Sequence, residues 1–184
     1  MKKRLLLLTG APGIGKTSIL TRTAELLKSE GYAVGGMISR EVRMNQRRVG
    51  FELIDLASSN RSWLAHIDQK TGPRVGRYRV NVADLEATGV TAILNAVQNA
   101  DVVLIDEVGP MELFSNKFTD AVKKAAESEK PVIVIVHWKA VNQLIETMEA
   151  REDAELFVAS LLNRDRLHET LSQKVIGYIQ HVDL

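Results

Sequence analysis

Residues 5–20, LLLLTGAPGIGKTSIL, decide the fold: four leucines run into three glycines and a lysine, and helical spacing follows at once. Behind Lys2, Lys3 and Arg4 the leucines imitate the start of a secretory leader. A leader's apolar region needs about 7–15 residues and a small-residue cleavage site. Here Thr9 and Gly10 end the run, so residues 4–9 read as a short strand buried on both faces. Beyond them Ile19, Thr23, Leu26 and Leu27 recur at helical spacing from Lys16 to about Ser29, and Gly31 suits the helix C-terminus.

Between that strand and that helix, Gly10 to Thr17 fit the phosphate-binding loop G-x-x-x-x-G-K-[ST]. Glycines let successive backbone N–H groups face one concavity, which an anion fills. The helix that opens there adds its N-terminal dipole and unpaired donors. Nucleotide contacts are expected at Gly10, Ala11, Pro12, Gly13, Ile14, Gly15, Lys16, Thr17 and Ser18. Lys16 brings a point charge to the outer phosphates, and the Thr17 hydroxyl can ligate Mg²⁺.

Further along, DVVLIDEVG (101–109) is an aliphatic run without polar alternation that ends in two acids. Such a strand is covered by helices on both faces, and its carboxyl end opens on the ligand crevice of an α/β sheet. Asp106 is placed to hold Mg²⁺ with Thr17, and Glu107 to deprotonate an attacking water. PVIVIVHW (131–138) is a second strand of this type, with His137 at its end as a candidate phosphate sensor.

The other segments set the architecture. Residues 33–58 read as a β-hairpin turning at Asn45, 59–74 as irregular, and VGRYRVNV (75–82) as another short strand. Helical spacing returns from Val82 to Val97, at Phe118, Ala121, Val122 and Ala125, and at Val141, Leu144, Ile145 and Met148. ELFVASL is the last strand, and Leu167, Leu171, Val175 and Tyr178 mark the closing helix. Strands alternating with helices predict an α/β fold with a mostly parallel sheet, in one domain over 1–184, with a β insertion at about 33–80.

Composition is that of an ordinary globular chain, 45% hydrophobic and 26% charged. No run approaches the roughly 18 apolar residues of a membrane span. The absence of cysteine excludes disulfides and thiolate metal sites, and accords with a cytoplasmic setting. A net charge of +1 gives no global field for nucleic acid. Arginines nonetheless cluster at 40, 43, 47 and 48 and at 74, 77 and 79. They read either as charged strand edges that discourage aggregation or as a phosphate-facing surface. Arg48 and Arg77 are candidates for an internal arginine finger on the transferring phosphoryl. Trp63 and Trp138 are expected to pack, with cover for a base as the alternative role, and Met111, Leu113 and Phe114 are expected as core or loop-anchoring groups.

Taken in order, GAPGIGKT, EVRMNQRRVGFELIDL, RVGRYRVNV, DEVGPMELFS and NRDRL resemble the THEP1-type nucleoside triphosphatases, also called cancer-related nucleoside triphosphatases. The likeness spans nearly the whole chain. The loop is shared by many nucleotidases, whereas DEVGPMELFS with the arginine-rich hairpin is far more specific. The resemblance implies a RecA-like P-loop fold and slow, Mg²⁺-dependent hydrolysis of ATP, GTP, CTP and UTP to diphosphates. It implies Gly10 to Thr17 on the phosphates, Asp106 on the metal, Glu107 on water and Gly109 close to the γ-phosphate. Pro110 stands where some relatives carry a basic residue, so that position has no charge role. Asn163 and Arg164, just past the last strand, are candidates for contact with the base, with an N-cap as the plainer role of Asn163. Two other functions share these motifs: a nucleoside or nucleotide kinase, and a nucleotide-timed switch whose arginines hold RNA.

Overall fold

The computed structural model describes residues 2–138 and 142–182. Its strands are β1 (Leu5–Gly10), β2 (Val34–Met44), β3 (Arg47–Asp55), β4 (Arg61–His66), β5 (Arg74–Val75), β6 (Tyr78–Val80), β7 (Val102–Val108), β8 (Val132–Val136) and β9 (Ala154–Ala159). They form one nine-stranded sheet in the order β5-β6-β4-β3-β2-β7-β8-β1-β9. From β2 to β9 every neighbouring pair is parallel, and from β2 to β5 every pair is antiparallel. The sheet is therefore mixed, and its parallel half is the part that the alternating pattern of strands and helices predicts. β2 belongs to both halves. Residues 34–37 pair with β7 and residues 37–44 with β3, so the expected insertion continues the central sheet.

The four leucines of β1 show why buried parallel strands lack polar alternation. Leu5 and Leu7 face a core completed by α3 (Thr91–Asn99), α4 (Asn116–Glu127) and α5 (Gln143–Glu149). Leu6 and Leu8 face the opposite core, with α1 (Lys16–Ser29) and α6 (Leu167–Val182). Both faces are dry, so both phases of the strand must be apolar. Helix α1 ends as its glycine predicts. Gly31 has φ +90°, and the N–H groups of Gly31 and Tyr32 close back on the carbonyls of Lys28 and Leu27. Gly36 marks a close approach, since a Cβ there would lie 2.0 Å from the Leu104 carbonyl oxygen of β7.

Three segments differ from the sequence reading. Residues 61–66, expected to be irregular, form β4, with Leu64 and Ala65 buried against the core. Register shifts between Phe51 and Glu52 where β3 pairs with β4, which blurs the two-residue alternation. Residues 74–80 make two short antiparallel strands instead of one. The helix expected from Val82 to Val97 is α2 (Val82–Asp84), a π-helical stretch at Leu85–Val90 and then α3. Of the residues expected to mark α5, Val141 lies outside the described residues.

Asp153 ties the sheet's lower end together. It accepts hydrogen bonds from Arg151 Nε and Nη2 at 2.8 and 3.0 Å, and pairs with Arg4 Nη2 at 2.8 Å. Arg4 also donates to the carbonyls of Ala126 and Lys130. The Arg151 bonds hold the Asp153 carboxyl below its ordinary range. A lowered native value means stability present above the unfolded value of about 3.9 and lost as pH falls through the native one. Asp153→Asn is expected to cost about 3 kcal/mol, because it leaves two guanidinium groups without a countercharge. Urea titrations at pH 7 and pH 3 check this, since the difference between variant and wild type shrinks at the lower pH.

Candidate active site

Helix α1 begins without a side-chain cap. Its N-cap is Gly15, at φ +105°, and no acid occupies the first turn. The donors of that turn are thus left to whatever enters the loop, and the dipole favours an anion. The N–H of Ile14 bonds the Ala11 carbonyl, which tightens the loop over the end of β1. Lys16 Nζ donates to the Gly10 carbonyl at 2.9 Å, so the ammonium group folds back across the loop mouth.

Two strands away, β7 delivers its acids to the same place. Thr17 Oγ1 donates to Asp106 Oδ2 at 2.6 Å. Asp106 is 2% exposed, and burial pushes its carboxyl up to about 7, with the Glu107 charge adding to the rise. Glu107 is half-buried and is also pushed up by burial, while Lys16 and His137 oppose the rise. Together they line a cleft of about 380 Å³. Pro12, Gly13, Gly15, Lys16, Thr17 and Ser18 form its floor; Asp106, Glu107, His137 and Trp138 one wall; Ser39, Glu41, Arg48 and Phe51 of β2 and β3 the other.

Most of the expected site residues therefore meet. Arg77 does not line this cleft; its Nη2 donates to the Arg48 carbonyl at 2.6 Å, which puts it one layer behind. Asn163 and Arg164 also lie outside the cleft lining. Asn163 braces the turn after β9, donating to the Val158 carbonyl and accepting from the Ser160 N–H. Because α6 starts only at Leu167, Asn163 is not its N-cap. Arg164 points to Asp165 at 3.9 Å. The arginine clusters are largely spent within the sheet: Arg40 and Arg61 pair with Glu52, Arg43 and Arg48 with Glu41, and Arg79 bonds the Gly72 carbonyl. Met111 and Leu113 pack on the core as expected, but Phe114 is 49% exposed. Trp138 and Trp63 are partly exposed as well, Trp138 at the cleft and Trp63 edge-on to His66.

Sequence reasoning missed Glu112. It is 3% exposed in a 3-10 turn (Glu112–Phe114), and burial with the nearby Glu107 charge keeps its carboxyl well above the ordinary range. A Cβ on Gly109 would sit 2.9 Å from Glu107 Oε1 and 3.3 Å from Glu112 Oε2. The glycine makes room for both carboxyl groups. An acid amid the apolar residues of PMELF was the available signal, because a charge in such company is seldom solvated.

Among the described residues no group of three or more His, Cys, Asp or Glu side chains could cage a metal. The oxygens at hand are the Thr17 hydroxyl and the Asp106 carboxylate, 2.6 Å apart at the loop. Hard oxygen donors this few suit Mg²⁺, which keeps its waters and takes phosphate oxygens as further ligands. The residues fit the ion. No helix among the described residues is long and apolar enough to cross a membrane.

A family profile described as NTPase matches residues 5–172. The chain is 46% identical to nucleoside-triphosphatase THEP1 of Thermofilum pendens, over 97% of this chain and 99% of that one. In three dimensions it resembles the crystal structure of THEP1 from Aquifex aeolicus, with a TM-score of 0.81, 27% identity and coverage of 93% and 98%. It also resembles the solution structure of a human cancer-related nucleoside triphosphatase, with a TM-score of 0.80, 31% identity and coverage of 95% and 98%.

Proposed function

The chain belongs to the NTPase family of THEP1 nucleoside triphosphatases, and from that premise we propose that its cleft hydrolyses Mg²⁺-bound nucleoside triphosphates, broad in base and slow, through a RecA-like P-loop site. One observation carries the assignment. The uncapped start of α1, Lys16, the Thr17–Asp106 pair and Glu107 all border a single cleft.

In this reading the loop N–H groups and the α1 dipole hold the β- and γ-phosphates. Lys16 leaves the Gly10 carbonyl for the outer phosphates. Thr17 and Asp106 hold Mg²⁺, which supplies charge neutralisation along the polyphosphate. Glu107 accepts a proton from a water as that water's oxygen bonds the γ-phosphorus. The bond to the β–γ bridging oxygen breaks, and the diphosphate leaves with the electron pair. His137 faces Glu107 closely enough to favour its ionised form. Base contacts are assigned to the turn after β9, where the Arg164 side chain is 44% exposed.

Phosphate release from ATP and from GTP, followed without any acceptor, tests this. The expected result is stoichiometric diphosphate and phosphate from both nucleotides, with no signal once Mg²⁺ is chelated. Release that begins only when a nucleoside or nucleotide acceptor is added would assign the site to a kinase instead.

A further inference from the structure

Both arginine clusters come from the hairpin half of the sheet, and the structure separates the two candidates within them. Strand alternation alone would put Arg47, Val49 and Phe51 on one face of β3. The register shifts here: Val42 pairs with Gly50, but the next residue, Arg43, pairs with Arg48. One extra residue of β3 is taken up, and the face changes. Arg48 thereby joins Phe51 in the cleft with Lys16, Asp106 and Glu107, while Arg47 stays outside it.

Phe51 and Glu41 touch the Arg48 side chain directly, and Arg77 supports it from behind. The Arg48 guanidinium lies over the Phe51 ring, 5.5 Å from the centroid. Phe51 meets Tyr78 edge-on at 5.2 Å, and Arg77 lies over Tyr78 at 5.3 Å. Arg77 then donates to the Arg48 carbonyl, closing the chain of contacts on the backbone of the residue it supports. The remaining partner is Glu41, opposite Phe51 in the ladder, whose Oε2 is 2.5 Å from Arg48 Nε. Nε is buried against Glu41 without a well-aligned hydrogen bond, while the Arg48 side chain as a whole is 40% exposed at the cleft.

A partly exposed guanidinium that lines the cleft with Lys16 and is held by a single carboxylate is an arrangement that a developing phosphoryl charge would draw over. Resting on the triphosphatase reading above, we propose that Arg48 is the arginine that contacts the transferring phosphoryl group, that Glu41 is its resting partner, and that Arg77 is a positioning residue behind it. Arg48 swings from Glu41 to the equatorial oxygens as their charge spreads in the transition state. Arg77 fixes the β3 backbone and the aromatic stack from which it swings. Glu41 competes with the phosphoryl for the same group and so sets a ceiling on turnover.

The test compares Arg48→Ala, Arg48→Lys, Arg77→Ala and Glu41→Gln with wild type, using steady-state ATP hydrolysis and calorimetry with Mg²⁺·ADP, alone and with aluminium fluoride as a phosphoryl mimic. Arg48→Ala is expected to lower kcat about a thousandfold and to lose the extra affinity that aluminium fluoride confers, with ADP affinity held within about threefold. Arg48→Lys recovers little, because an ammonium group lacks the planar fork. Arg77→Ala lowers kcat about tenfold with the same ADP affinity, and Glu41→Gln raises it severalfold. The proposal is overturned if Arg48→Ala keeps kcat within about threefold of wild type, or if ADP affinity and melting temperature fall as far as kcat. A Glu41→Gln variant that slows turnover removes the competition. If Lys16→Ala stops hydrolysis while Arg48→Ala does not, only the arginine assignment fails; if neither matters, the cleft is not the site of hydrolysis.

Discussion

Glu107→Gln lowers kcat for ATP hydrolysis by about 10²–10⁴-fold and leaves Mg²⁺·ADP affinity near wild type. The amide keeps the shape of the carboxyl group in the space that Gly109 leaves for it, so the cleft survives the change. What it loses is the capacity to take a proton from water in the transition state. Ground-state binding rests on the loop and on Lys16, so KM moves little, and the loss appears in kcat and kcat/KM alike. The pH profile adds a second check. Burial holds the Glu107 carboxyl above its ordinary range. Only the ionised form accepts a proton, so wild-type kcat falls as pH drops through that raised value, and the variant loses this contribution. Single-turnover phosphate release over pH 5–9 (a range chosen about the usual His and carboxyl values) measures both. A glutamine variant that turns over at the wild-type rate would falsify the assignment of the base.

Lys16→Ala removes turnover to below about 1% of wild type and separates the two nucleotides. Nζ now rests on the Gly10 carbonyl at 2.9 Å, at the mouth of the loop, so its charge is available to the outer phosphates first. A hydrogen bond to a charged group contributes about 1.5–3 kcal/mol, which is roughly 10–100-fold in affinity. That loss is expected for ATP, with a smaller one for ADP, whose terminal phosphate still has the loop N–H groups. Gly10 in the variant keeps its backbone pairing to Ala159 on β9, so folding is little affected. Calorimetry with both nucleotides distinguishes this from general damage to the loop. Equal losses would mean that Lys16 does not face the outer phosphates.

These effects are large because both residues act at the place where sheet and helix converge. The loop follows β1, Asp106 and Glu107 end β7, and His137 follows β8, the strand between them. Parallel strands bring all their carboxyl ends to one rim, which is why residues far apart in the chain share one cleft.

That convergence was legible because each part is written locally. Gly10 to Thr17 need only their own spacing to make an anion loop, and VVLIDE needs only its lack of alternation to announce a buried strand ending in acids. The alternation of Leu5 and Leu7 against Leu6 and Leu8 between two cores is the same signal seen from inside. Where pairing between distant segments decides, the sequence is mute. ASSNRSWLAHIDQ reads as polar and irregular, yet β4 forms within it because β3 offers a ladder to complete, and a bulge hides the period. Glu112 carries no local signal of its buried place beside Glu107, which the space left at Gly109 permits.

From its order of residues alone this protein was committed to a strand, a glycine loop and a helix, with two acids near the end of another buried strand, since those features depend on near neighbours and on which side chains avoid water. Which arginine lines the cleft beside that loop depended on a one-residue register shift in the β2–β3 ladder. A one-residue shift exchanges the two faces of a strand, and only the assembled sheet sets that register.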